Sequence, residues 1–257
     1  MEGTSSAVLK ALTILDYLGS CREGQRLKDL AEAVGLPEST AHRLLNSLAA
    51  KGYVQQNLID QTYTVGWQIV NLARAVNREV HLVRSLHPFL ERLAEQSKYS
   101  ANLAVLQQNK VMYLDCVVPA QSVIAIYSAP GTLLPAHATA LGKVLLAHLP
   151  ADEAEIALER LDLVRHTPGT ITDRDALRAE LERVRRQGYA VDDGEFVPDI
   201  HCVAAPVRDA GGKVVAAMSV SARAVEFPPE KRDEAVSILL GISRAATQAL
   251  QDRGQSG

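Results

Sequence analysis

The 257-residue sequence predicts an α/β chain of two domains. A mostly helical winged helix-turn-helix comes first, and a larger α+β domain with a mainly antiparallel sheet follows. Two observations lead there. Through the first fifty positions, apolar residues recur at helical spacing in short stretches punctuated by Gly and Pro. From Ser100 onward, strand-like runs in hairpins alternate with helical ones, the order of a sheet layered by helices. The expected boundaries are residues 1–66 for the winged domain, 67–84 for a linker helix and 85–257 for the second domain.

"SSAVLKALTILDYLG" reads as the first helix, with Ser5 or Ser6 as its cap and Gly19 as its end. Val8, Leu12, Leu15 and Leu18 form its expected stripe. "LKDLAEAVG" repeats the spacing through Leu27, Leu30, Ala31 and Val34, and Gly35 closes that helix in the left-handed conformation. Pro37 suits the first turn of the next helix, where its missing N–H is no loss. That helix buries Ala41, Leu44, Leu45 and Leu48 and leaves Ser39, Thr40, His42, Arg43 and Asn46 on its other side. Two short helices across a tight turn make a helix-turn-helix, whose second helix enters a DNA major groove. Arg43 is a fork donor for guanine or phosphate, and Asn46 bonds adenine in two places. Ser39 and Thr40 suit phosphate oxygens. "GYVQQNLIDQTYTVG" then gives a hairpin, the wing, around a polar bend. The same helical hairpin also serves as a protein-interaction surface in other settings.

Overall charge gives little support for nucleic acid: net −3, with +1 in residues 1–84 and −4 in the rest. A strongly basic face is the usual footprint, so the local pattern carries the argument. Cys21, Cys116 and Cys202 are far apart and odd in number, and the seven histidines are scattered. Neither a disulfide framework nor a metal site is expected. No apolar run reaches the roughly 18 residues of a membrane span, and no basic-then-apolar leader opens the chain. A cytoplasmic protein without membrane partners is the expectation.

Residues 67–97 are almost wholly helical in pattern, with a break or a new first turn expected at Pro88. The sole Trp and several Leu and Val lie there, which favours pairing of two subunits over a plain linker. The second domain continues with strands on both sides of Gln108-Asn109-Lys110, a third at "VIAIYS", and helices over "AHATALGKVLLAHLP", "ADEAEIALERL" and "DRDALRAELERVRRQG". Strands return in "YAVDD", "HCVAAPVRD" and "KVVAAMSVS", and a helix over 228–251 ends the pattern. If Arg208 faces Lys213 across "DAGG", Cys202 lies opposite Ser219 and Ala204 opposite Ala217. Ser221 shares that side, because strand side chains alternate. Small polar groups flanked by Ala leave space for a ligand, or equally pack tightly under a helix. "ALGK" is not a phosphate loop: His137 stands where the motif needs Gly, and Val144 replaces its Ser/Thr.

"LKDLAEAVGLPESTAHRLLNSLAAKGYV" resembles the winged helix-turn-helix of the isocitrate lyase regulator (IclR) family. "LPAHATALGKVLLA" and "GYAVDDGEF…HCVAAPVRDAGGKVVAAMSVS" resemble its effector-binding domain. The likeness runs in order over nearly the whole chain. It implies a DNA-binding transcriptional regulator, activator or repressor, that forms dimers or tetramers and binds a palindromic operator. Its second domain would be GAF-like or profilin-like and bind a small aliphatic or aromatic carboxylic acid, with no cofactor and no catalysis. The resemblance places backbone donors at Ala140 and Leu141, polar groups at Asp192, Cys202, Ser219 and Ser221, and an apolar wall at Val123, Ile126, Leu134 and Ile200. An ionised Asp192 repels an acid, so it must orient a hydroxyl, act through water or be protonated. Asp199 stands where the family often has Gly, which bears on the loop geometry there.

The rival is a hydrolase or transferase with Cys202 as nucleophile, His201 or His137 as base and Asp192 as orienter. His201 neighbours Cys202 on one strand and so points to the opposite face. A third reading, a protein-interaction adaptor, predicts no salt-dependent affinity for DNA.

Overall fold

The computed structural model describes residues 6–75, 77–119 and 129–254. The chain falls into two compact units, Met1–Val80 and His81–Gly257.

In the first unit, α1 (Ser6–Ser20), α2 (Leu27–Ala33) and α3 (Glu38–Ala50) precede a hairpin of β1 (Val54–Gln56) and β2 (Tyr63–Val65). The strands pair antiparallel, Gln55 opposite Thr64, and Gln25 bridges to Tyr63. Ile14, Leu18, Leu30, Ala31, Ala41, Leu44, Leu45, Val54 and Tyr63 form the core. Gly35 has φ +66°, as the closing of α2 requires, and Leu36 N–H turns back to the Ala31 carbonyl (2.9 Å). The stripe expected on α1 is corrected. Val8 and Leu12 are 56% and 50% exposed, whereas Ile14 and Leu18 face the core. Apolar residues cover more than half the circumference of α1, so their spacing alone does not choose the inward side. Gly19 sits within the last turn of α1 and does not end it.

After α4 (Gln68–Ala75), the helix α5 (Asn77–Ser97) contains Pro88. The break expected at Pro88 is absent. Leu82, Leu86, Leu90 and Leu93 keep one buried stripe in register on both sides of it, and Pro88 itself is exposed. Packing of the stripe outweighs the one backbone bond that a proline removes.

The second unit is built on six strands: β3 (Ser100–Gln107), β4 (Lys110–Val117), β5 (Leu133–Pro135), β6 (Ala190–Asp193), β7 (Ile200–Arg208) and β8 (Val214–Arg223). Their order is β5-β4-β3-β8-β7-β6, and every described pairing is antiparallel. Alternation splits the sheet cleanly. Val203, Ala205, Val207, Met218 and Val220 pack against α5 and α9 (Pro229–Gly254). Ala104, Ala190, Ala204 and Ala217 face α6 (Ala140–Ala147), α7 (Ala151–Arg160) and α8 (Arg174–Gln187). The strand expected at "VIAIYS" lies outside the described residues.

The β7–β8 register is corrected. Cys202 lies opposite Ser221 and Ala204 opposite Ser219, two residues from the expected pairing. The reason is the turn: Asp209 N–H bonds the Lys213 carbonyl, its carboxylate takes the Gly211 and Lys213 N–H groups, and a bulge follows at Val207/Arg208. A shift of two preserves facing, so Cys202, Ser219 and Ser221 still share one side. The helix expected from Ala136 instead begins at Ala140, after a 3-10 turn over Ala136–Ala138. Thr139 has extended dihedrals and caps α6, its Oγ1 accepting from Gly142 N–H (3.2 Å).

Candidate functional site

The outer side of α3 is open. Ser39, His42, Arg43 and Asn46 are exposed and Thr40 is half-buried. Pro37 occupies the cap position, one earlier than expected, and its carbonyl takes Thr40 and Ala41 N–H (2.9 and 3.0 Å). The hydroxyls of Ser39 and Thr40 are therefore not spent on capping. His42, Arg43 and Asn46 make no intramolecular side-chain hydrogen bond among the described residues. Five polar side chains lie uncommitted on one helical face, while Ala41, Leu44 and Leu45 hold the other against the core.

The wing is less polar than its sequence suggests. Asn57 Oδ1 takes the Ile59 N–H, Asp60 Oδ1 takes Thr62 N–H and hydroxyl, and Gln61 Nε2 donates to the Leu58 carbonyl. The polar groups fold back on the bend and leave Leu58 and Ile59 outward, 81% and 95% exposed.

In the second unit, Leu134, Ala140, Leu141, Asp192, Ile200, Cys202, Ser219 and Ser221 line one cavity of about 470 Å³, its open mouth included. Val123 and Ile126 lie outside the described residues. The floor is the polar side of β7 and β8. Cys202 Sγ donates to Ser221 Oγ (3.1 Å), and Ser219 and Ser221 are almost fully buried. One wall is the start of α6. Lys143 N–H makes the first helical bond, to the Thr139 carbonyl (3.0 Å), so the Ala140 and Leu141 amides precede the ladder. Such amides attract negative charge.

Asp192 is 4% exposed and lies opposite Cys202 in the β6–β7 ladder. Burial pushes its carboxyl up to about 7, against the bond that Oδ1 accepts from Glu195 N–H (2.7 Å). Behind it, Lys143 is 1% exposed and pairs with Glu195 and with Glu180 (3.3 Å). This explains "ALGK". Gly142 lies so close to Ala136 that a Cβ would enter its backbone, and Lys143 offsets the charge of Glu195 and shares Glu180 with Arg183.

Burial, and then the neighbouring Asp192, push the Cys202 thiol well above its ordinary range. His201 lies on the other face of β7, with Nδ1 3.6 Å from Asp193. His137 Nε2 meets the Val164 carbonyl at 3.0 Å, its ring is 5.8 Å from that of His166, and burial lowers its pKa. At Asp199 the backbone is not left-handed, so an L residue fits where the family often has Gly, and its carbonyl takes Ala224 N–H (2.8 Å).

Tyr113, Thr139, Phe196 and Val197 also line the cavity and were not foreseen. Thr139 was legible as a cap once α6 begins at Ala140. Tyr113 shares a sheet face with Ala104, but a bulge at Leu103/Ala104 hides that parity from counting. Phe196 and Val197 lie in a loop without periodicity. Among the described residues no His, Cys, Asp and Glu cluster could hold a metal ion, and no helix is long and apolar enough to cross a membrane.

A helix-turn-helix with an uncommitted polar face, in one chain with a sheet domain whose cavity is lined by polar and apolar groups, has the build of a DNA-binding regulator with an effector-binding domain. Residues 7–58 match the IclR helix-turn-helix domain, and residues 74–248 match the bacterial transcriptional regulator IclR C-terminal domain. The chain belongs to the IclR family of transcriptional regulators. It is 34% identical to the HTH-type transcriptional regulator XynR of Escherichia coli over 84% of this chain and 85% of that protein. It is 33% identical to KdgR of E. coli, over 93% and 90% respectively. Its structure resembles Thermotoga maritima IclR, with TM-score 0.79 and 29% identity over 95% and 98% of the two chains. It also resembles an IclR homologue of Microbacterium hydrocarbonoxydans solved with 4-hydroxybenzoate, with TM-score 0.81 and 28% identity over 96% and 100%.

Proposed function

We propose that the cavity binds a small aliphatic or aromatic carboxylic acid, and that this changes the affinity of α3 for operator DNA. The observation that carries the reading is that Ala140 and Leu141, whose amides precede the α6 ladder, line one cavity together with Ser219, Ser221 and Asp192. Helix-start amides and hydroxyls suit a carboxylate, and a protonated Asp192 donates to it without repulsion. The 4-hydroxybenzoate of the Microbacterium relative is an acid of this class.

Ser39, Thr40, His42, Arg43 and Asn46 meet DNA, Arg43 and Asn46 at base edges and the others at phosphates. The regulator acts as a homodimer or homotetramer, with two copies of α3 about 34 Å apart, or a multiple of that, on a palindromic site. The effector works by binding one arrangement of the oligomer more tightly than another. The chain is not an enzyme: a buried thiol pushed towards its neutral form, with no histidine bonded to it, is a poor nucleophile.

The test is a titration of operator DNA in a gel shift, with and without candidate acids, of wild type and of a Cys202→Leu/Ser219→Ala variant. The variant should bind operator as wild type does and lose the response to the acid. A full response from the variant would remove the cavity from the reading.

A further inference from the structure

Asn102 does not line the cavity, yet it lies against both serines of its floor. It stands on β3 opposite Ser219 and is fully buried. Its Nδ2 donates to Ser219 Oγ (3.2 Å) and to Ser221 Oγ (3.1 Å). Ser221 Oγ also receives the Cys202 thiol. A serine oxygen that accepts from behind keeps its own proton to give. Neither hydroxyl donates to another described group, and both serines face the cavity.

The far end of the amide fixes which way round it sits. Oδ1 is buried and has no partner among the described residues. Turned over, the amide would strand two N–H donors there instead of one acceptor. Buried donors without an acceptor are the rarer defect.

We propose that Asn102 is the positioning residue that sets the polarity of the cavity floor, holding Ser219 and Ser221 as hydrogen-bond donors towards the ligand. A carboxylate or keto oxygen is accepted at that corner. A ligand ammonium, which can only donate, is not, and a ligand hydroxyl fits there only through its oxygen as acceptor. This rests on the cavity being the effector site.

Two measurements on the full-length protein test it. The first needs no ligand. With asparagine labelled by ¹⁵N, the Asn102 side-chain amide should exchange slowly with solvent and shift in both Ser219→Ala and Ser221→Ala. An amide that neither substitution moves does not donate to the serines, and the proposal falls. The second uses 4-hydroxybenzoate, benzoate, pyruvate and acetate, each against its amide or alcohol analogue, in thermal-shift and calorimetric titrations. If wild type binds no acid, the acid-effector reading fails, while the amide result still decides the polarity of the floor. For an acid that binds, Asn102→Asp, which draws both hydroxyl protons onto its carboxylate, should weaken binding at least tenfold. In a Ser219→Ala/Ser221→Ala background the same change should add little. An equal loss with the serines absent means that Asn102 does not act through them. Preference for an alcohol over its acid would also overturn the proposal.

Discussion

The two units handle polar side chains in opposite ways. On α3, Ser39, His42, Arg43 and Asn46 point outward, and their side chains make no hydrogen bond among the described residues. In the sheet unit, Asn102, Asp192, Ser219 and Ser221 point inward, and each is bonded to a neighbour or to backbone. On the proposed reading the first set serves a large partner with its own solvent shell, so water covers it until that partner arrives. The second, on the same reading, serves a small ligand, which must find its partners already oriented. Substitution should therefore separate function from stability on α3 and couple them in the cavity.

The largest test of that coupling is Lys143→Ala. It leaves the buried Glu195 without its cation, beside a half-buried Glu180 that keeps only Arg183 (2.7 Å). Breaking a buried ion pair from one side costs about 3–5 kcal/mol. Urea unfolding should show that loss in the sheet unit. A loss under about 1 kcal/mol would mean that water reaches the pair, and the contrast between units would weaken.

Arg43→Ala tests the other side. Operator affinity should fall by about 1–3 kcal/mol for each recognition helix that reads a base through Arg43. Unfolding should stay within about 0.5 kcal/mol of wild type, since the side chain is exposed and makes no hydrogen bond among the described residues. Unchanged operator affinity in a gel shift would return α3 to the role of an interaction helix.

Asp192 gives a test through pH. Its carboxyl is raised to about 7, so below that value it is neutral and, on the proposed reading, donates to an acid ligand. Above 7 it is charged and repels the ligand, and Glu195 and Asp193 add to the negative field while Lys143 opposes it. Affinity for a carboxylate should be flat below pH 7 and fall by up to about tenfold per unit above it. The stability linked to this proton has the same sign. It is fully present below the ordinary carboxyl range and lost as pH rises through 7. Asp192→Asn should flatten the binding curve in calorimetry between pH 6 and 8.5. A pH dependence that survives that change belongs to another group.

Much of this was legible in residue patterns, for reasons that differ by element. The apolar stripe of α3 left little choice of its inner face, so its outer face could be read directly. On α1 apolar residues are too abundant to choose a side, and Val8 and Leu12 were misassigned to the core. On β7 and β8 the register was two residues off, because the Asp209 turn and its bulge are tertiary detail. The shared face of Cys202, Ser219 and Ser221 survived, because only an odd shift changes facing. Asn102 and Phe196 stayed hidden. Asn102 comes from a strand more than a hundred residues earlier, and Phe196 from a loop.

The smallest effect compares two helix starts. In α6 the Thr139 hydroxyl accepts from Gly142 N–H, whereas in α3 the backbone of Pro37 begins the helix and Ser39 caps nothing. Thr139→Ala should cost about 1 kcal/mol of stability and loosen the first turn that presents the Ala140 and Leu141 amides. Acid affinity should fall with it. Ser39→Ala should change stability by less than about 0.5 kcal/mol while it weakens DNA binding by a similar amount on every sequence, as loss of a phosphate contact does. Chemical denaturation of both variants, with salt titrations of DNA binding for the second, checks the pair. If Ser39→Ala destabilised the first unit as much as Thr139→Ala destabilised the second, the α3 hydroxyls would be structural. The outward set would then shrink to His42, Arg43 and Asn46.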